Sequence, residues 1–171
     1  MPFLTLDFET YYDKDYSLSK LTTEQYIRDD RFEVIGVSVK QDNNTVSWFS
    51  GTKEETKAFL DQFPWGESIA LAHNMLFDGA ILSWIFDIHP RVLADTLCMS
   101  RPLHGIEVGG SLAKLVEHYA VGVKGTEVNN ALGKRRVDFS ADEMGAYARY
   151  CCNDTELTYK LFQKMVEGFP S

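Results

Sequence analysis

Leu4-Thr5-Leu6-Asp7-Phe8-Glu9-Thr10 alternates apolar and polar side chains with the two-residue period of a β-strand. Leu4, Leu6 and Phe8 then share one face, and Thr5, Asp7 and Glu9 the other. The apolar set and the N-terminal position suit a central strand, covered on both sides. Two carboxylates side by side on a covered face repel each other unless a cation or basic residues satisfy them. The alternative is an exposed face of an antiparallel sheet, where such acids cost little.

Working outward, Phe32–Gln41 contains Val34-Ile35-Gly36-Val37-Ser38-Val39 and reads as a second strand. The turn residues Asp42-Asn43-Asn44 join it to a third over Thr45–Phe49, giving a hairpin. An amphipathic helix follows over Lys53–Phe63 and stops at Pro64. Ser68–Ala72 is a short apolar strand, Leu76–Phe86 a strongly hydrophobic helix and Arg91–Ala94 a last strand. Shorter helices are predicted near Glu24–Arg28, at Thr96–Arg101 and at Ser111–Tyr119, and a glycine- and asparagine-containing loop over 121–139. Ser140, with Glu143 three residues on, makes a capping box for a long helix to about Val166. This order implies an α/β architecture, a mixed β-sheet flanked by α-helices, and fits a ribonuclease H-like sheet.

Two later segments repeat the misplaced-acid pattern. Asp78 precedes Ile81, Leu82 and Ile85 by three, four and seven residues, so it begins a core-facing stripe. A first-turn acid favoured by the helix dipole is the alternative. Tyr150, Asp154, Leu157 and Leu161 lie on one stripe of the long helix, and a mid-helix aspartate on an apolar stripe needs a partner. A core tyrosine and a buried ion pair are the alternatives there. Convergence of Asp7, Glu9, Asp78 and Asp154 with Tyr150 would build a divalent-metal site suited to phosphodiester chemistry.

Composition bounds the rest. At 171 residues the chain suits one domain over 1–171. A net charge of −8 argues against a basic DNA-coating protein, though not against an enzyme that grips a few nucleotides. The cluster Lys134-Arg135-Arg136, with Lys124 upstream, reads as a solvated loop, with phosphate contact the minority alternative. Cys98, Cys151 and Cys152 form no disulfide framework or zinc spacing and are expected as reduced thiols. The sequence lacks an apolar run near the roughly 18 residues of a membrane span, so a soluble, cytoplasmic chain is expected. His73, His89, His104 and His118 have no metal-ligand spacing, and Asp95 before Thr96 reads as a helix cap.

Asp7-Phe8-Glu9-Thr10, His73-Asn74-Met75-Leu76-Phe77-Asp78 and the pair Tyr150 and Asp154 together resemble the three motifs of the DEDD superfamily of 3′→5′ exonucleases, in its tyrosine-bearing subgroup. Arg149 stands where the histidine subgroup would carry its histidine. Ser111–His118 and Gly122-Val123-Lys124-Gly125 are similar to the proofreading exonuclease domain of bacteriophage family-A DNA polymerases. Such a polymerase would continue past Phe169-Pro170-Ser171, so the chain resembles an excised or free-standing domain.

The resemblance implies two Mg²⁺ or Mn²⁺ ions about 4 Å apart, one held by Asp7, Glu9 and Asp154 and the other by Asp7 and Asp78. Tyr150 would orient the attacking water. The substrate would be a single-stranded DNA 3′ end, contacted by Phe8, Thr10, Tyr11, Asn74 and Phe77, with Tyr12 and Met75 as further stacking candidates. A polymerase module in the same or another chain would be the partner. An exoribonuclease and a non-catalytic strand- or polymerase-binding domain are the rival readings.

Overall fold

The computed structural model describes residues 1–125 and 131–169. β1 (Phe3–Thr10) is the middle of five strands, with Leu4, Leu6 and Phe8 buried on one face and Thr5 buried on the other. The others are β2 (Val34–Gln41), β3 (Ser47–Phe49), β4 (Ile69–Ala72) and β5 (Val92–Asp95), in the order β3-β2-β1-β4-β5. β1 pairs antiparallel with β2 and β2 with β3, whereas β4 is parallel to β1 and β5 to β4. Asp7 faces Ser38 across the β1–β2 ladder, and the register shifts between Glu9 and Thr10.

Among the described residues six α-helices accompany this sheet: α1 (Thr23–Ile27), α2 (Lys53–Leu60), α3 (Met75–Ala80), α4 (Thr96–His104), α5 (Leu112–His118) and α6 (Ala141–Val166). Leu4, Leu6 and Phe8 join Val37 and Val39 in a core with Tyr26 of α1, Leu60 of α2 and Ile81 beyond α3. Fully burying a leucine or phenylalanine contributes roughly 1.5–3 kcal/mol, so this face anchors β1. On the opposite face α6 lies along β1 and β2. Its seat is small and polar: Thr5 and Ser38 are fully buried, and the Ser38 hydroxyl meets Thr155 Oγ1 and, at 3.2 Å, the Cys151 carbonyl. Short side chains there bring α6 close to the sheet, which places its functional stripe beside Asp7 and Glu9. Further along α6, Leu157, Leu161 and Met165 pack with Leu112, Leu115 and Val116 of α5 in a second core.

The capping box forms as the sequence predicts, with Glu143 N donating to Ser140 Oγ at 3.2 Å and Ser140 N to Glu143 Oε2 at 3.0 Å. Most boundaries shift by one or two residues, and the helix predicted over Lys53–Phe63 already ends at Leu60. The third strand keeps only Ser47–Phe49 of the predicted Thr45–Phe49. The helix predicted over Leu76–Phe86 begins at Met75 and widens into a π-helical turn over Ile81–Ile85. The helix predicted to stop at Arg101 runs on through Pro102 to His104; the proline forfeits one backbone donor, and the turn to Gly105, at φ +59°, ends the helix. Residues 126–130 of the predicted loop lie outside the described residues, as do Pro170 and Ser171. Among the described residues no helix is long and apolar enough to cross a membrane.

Candidate active site

Three elements bring the five candidate residues together. β1 directs Asp7 and Glu9 toward α6, where the Cys151 Sγ lies 3.4 Å from both the Asp7 carbonyl and Oδ2, its one S–H facing both acceptors. The β4–α3 turn is held by Asn74, left-handed at φ +76°, whose amide donates to Asp95 Oδ1 at 2.9 Å. The same Asp95 oxygen caps α4 through Leu97 N at 2.8 Å, as its place before Thr96 predicts. Asp78 then falls in the first turn of α3, is 3% exposed, and accepts the Phe8 amide at 3.0 Å. The first-turn alternative for Asp78 thus holds locally, yet its carboxylate points to β1 rather than to solvent. On α6, Tyr150 and Asp154 share a face, as their one-turn spacing predicts.

The sequence reading missed three participants. Tyr147 donates its hydroxyl to Glu9 Oε2 at 2.8 Å. Cys151 lies between Tyr147 and Asp154 on the same helical stripe, at i, i+4 and i+7, so the spacing contained both. Lys124 had no such signal, being 30 residues from its partner. Its ammonium donates to Tyr150 Oη at 2.9 Å and to Asp154 Oδ2. The irregular segment that carries it is tied to α6 by Asn153 Nδ2 on the Val123 carbonyl at 3.1 Å. It comes this close because residue 122 is glycine: a Cβ there would lie 2.6 Å from Leu157 Cδ2.

Electrostatically the site is loaded with more acid than it neutralises. Burial, and then the Asp154 charge, push Asp7 up to about 7. Burial and the neighbouring Asp7 raise Glu9 and Asp78 well above the ordinary carboxylate range. Burial also raises Asp154, with Lys124 opposing it. Asp7 and Glu9 are only partly buried by surface area, and the dense protein packed around them is what desolvates them. Asp7, Glu9 and Cys151 offer ligand atoms that all lie within 4.8 Å of one another. Asp154 Oδ1 is buried without a hydrogen-bond partner among the described residues. A mostly oxygen donor set, converging carboxylates and an orphaned buried oxygen fit hard divalent cations.

A family model described as 3′–5′ exonuclease matches residues 22–168. The chain belongs to that family. The matched span leaves β1 out, so Asp7 and Glu9 are tied to this 3′–5′ exonuclease by the geometry above. No curated protein matches the sequence. Among solved structures, the catalytic core of RRP6 from Trypanosoma brucei is 15% identical with a TM-score of 0.67, over 95% of this chain and 40% of that one. Trypanosoma brucei RNase D in complex with RNA U12 is 16% identical with a TM-score of 0.69, over 96% and 55%. Phi29 DNA polymerase complexed with single-stranded DNA is 14% identical with a TM-score of 0.61, over 99% and 32%. These likenesses establish the ribonuclease H-like fold, and the chain spans only part of each protein's length.

The candidate substrate contacts of this exonuclease fall in different places. The Phe8 amide is engaged by Asp78, and Thr10 Oγ1 meets Tyr26 Oη at 2.8 Å. Tyr11 turns its hydroxyl to Asp13 at 2.7 Å and carries the Arg135 guanidinium 3.6 Å over its ring. Phe77 packs at the margin of the first core, 6.0 Å from the Tyr26 ring. Asn74 engages through its backbone. The basic cluster is largely spent within the chain, Lys134 on Glu143 at 2.7 Å and Arg135 on Glu33 at 3.0 Å. His73 bridges Thr96 Oγ1 and the Gly110 carbonyl, at 2.8 and 2.9 Å, a structural role.

Proposed function

We propose that this chain is a single metal-dependent exonuclease domain that removes nucleoside 5′-monophosphates from the 3′ end of a single DNA strand. The observation that carries this is the convergence of four carboxylates and Tyr150 from three distant segments, with Asp7 close enough to Glu9, Asp78 and Asp154 for their charges to act on one another. Asp7, Glu9 and Asp154 would hold one divalent ion, and Asp7 with Asp78 a second, as Mg²⁺ or Mn²⁺. When bound, such ions supply Lewis-acid activation of water and neutralise charge at the phosphate.

The protein's own groups do the rest. Asp7, with one oxygen held by Cys151, is the acid common to both ion positions. Tyr150 is raised by burial, with Lys124 opposing, so its hydroxyl stays protonated and orients a water rather than removing its proton. The Lys124 ammonium fixes that hydroxyl and adds a positive charge where an anionic backbone would enter.

DNA is favoured by the likeness of Ser111–His118 and Gly122-Val123-Lys124-Gly125 to polymerase proofreading domains, and a polymerase in the same or another chain is the partner that reading implies. RNA is the second reading, because the RNase D complex with RNA superposes at least as well as the polymerase. The test is digestion of 5′-labelled single- and double-stranded DNA and RNA with Mg²⁺ or Mn²⁺. A ladder shortening from the DNA 3′ end, abolished by EDTA, supports the first reading; cleavage of RNA alone, or none, overturns it.

A further inference from the structure

Each acid of the centre has one oxygen pinned by a donor of the chain itself. Asp78 Oδ1 takes the Phe8 amide, Asp7 Oδ2 the Cys151 thiol, Asp154 Oδ2 the Lys124 ammonium and Glu9 Oε2 the Tyr147 hydroxyl. Glu9 has the longest side chain of the four and stands at the register shift that ends the regular β1–β2 pairing. Among the described residues its carboxylate receives no other hydrogen bond than Tyr147's at 2.8 Å.

That donor is held rigidly. Tyr147 is 5% exposed, stacked on Phe139 with ring centroids 5.3 Å apart and met edge-on by Trp48 at 6.5 Å. Ile35 and Ala131 share its buried cluster, with Tyr12 and Met144 packed against it. A phenol locked on its ring can deliver its hydroxyl to one point, so Glu9 is oriented from α6 through a buried anchor.

We infer that Tyr147 is a positioning residue for Glu9: its hydroxyl holds Oε2 and leaves Oε1 presented to a divalent ion. This rests on the reading of the acids as a metal centre and goes beyond it by assigning to a tyrosine distinct from Tyr150 the job of setting metal affinity. Partners that orient ligating carboxylates commonly change metal affinity or activity by 10–100-fold.

The test is Mn²⁺ binding to the full chain without nucleic acid, by isothermal titration calorimetry, alongside the Mn²⁺ dependence of cleavage. Tyr147→Phe removes one oxygen and keeps the ring packing. It is expected to weaken Mn²⁺ binding by on the order of 10-fold or more, and to raise the half-saturating Mn²⁺ for cleavage in step, with the rate largely recovered at high Mn²⁺. 4-Aminophenylalanine at 147 restores an N–H donor at the same point and is expected to recover the affinity, which a purely packing role would not require. Unchanged Mn²⁺ binding in Tyr147→Phe, or no rescue by the amino analogue, overturns the inference while the metal centre stands. A wild-type chain that neither binds Mn²⁺ nor cleaves overturns the metal centre itself.

Discussion

The Phe8 amide and the Asp78 carboxylate are joined at 3.0 Å although 70 residues separate them in sequence. This bond latches the first turn of α3 onto the strand that carries Asp7 and Glu9, so the acids are assembled by the fold itself. Asp78→Asn keeps an oxygen that can accept the same amide and deletes a charge that burial and Asp7 both disfavour. The variant should therefore fold, and melt above the wild type in EDTA. Its cleavage should fall by at least ~10²-fold, the scale of losing one pre-placed electrostatic contact in a site. Thermal melts with a labelled-oligonucleotide assay check both halves; an active Asp78→Asn defeats the role given to the acid.

Why the sequence was so readable at these points has a physical answer. Asp7, Glu9, Asp78 and Asp154 each break an apolar pattern whose period fixes the direction of the side chain, and burial forces such acids to share a purpose. The central place of β1 followed because it offers buried groups on both faces, whereas the spatial order of the other strands was not read from the sequence. Lys124 was illegible because its position depends on a close approach of the irregular 121–125 segment to α6, one that a Cβ at Gly122 would crowd against Leu157. Tyr147 was legible in spacing but not in meaning, since a buried tyrosine on a helix is ordinarily a core residue. The π-helical turn at Ile81–Ile85 has no signature in an apolar run that suits either helical register.

Tyr150 should separate cleavage from metal binding. Its hydroxyl is held by Lys124 at 2.9 Å and its ring is half-buried, so Tyr150→Phe keeps the packing and removes one oriented hydrogen bond. The turnover rate should fall by roughly 10²-fold with Mn²⁺ affinity within about twofold of the wild type, because none of the four carboxylates loses its pinning donor. Single-turnover rates beside calorimetric Mn²⁺ binding decide it. An unchanged rate shows the hydroxyl to be dispensable, and lost Mn²⁺ binding assigns Tyr150 to the metal instead.

Lys124→Met should make the protein lean on its cation. Lys124 is the one basic side chain that the structure pairs with a site carboxylate among the described residues, and Asp154 is 6% exposed. Removing one partner of a buried pair leaves an uncompensated charge and costs on the order of 3–5 kcal/mol when burial is complete, less for this part-exposed lysine. In EDTA the variant should melt several degrees below the wild type. Mn²⁺ should raise its melting temperature by more than it raises the wild type's, since the ion replaces the lost positive charge. Equal shifts in the two proteins would show that Lys124 and the ion do not share Asp154.

The metal-free protein should lose stability as pH rises, opposite to the usual acid denaturation of proteins. Asp7 is raised from 3.8 to about 7, and Glu9, Asp78 and Asp154 are displaced the same way, so between those limits the folded state holds protons that the unfolded state has released. Where the folded state binds more protons, stability falls with increasing pH. Melts in EDTA should therefore drop from pH 5 toward pH 8, with the steepest change where these acids are forced to ionise beside one another. Divalent ions reverse the sign, because binding them requires the same carboxylates to be deprotonated. With Mg²⁺ or Mn²⁺ in excess the melting temperature should rise over the same interval, and the gap between the two curves should widen steadily to pH 8. An EDTA curve that climbs from pH 5 to pH 8 would mean that the four acids are not electrostatically frustrated, and the case for a cation-dependent centre would lose its physical basis.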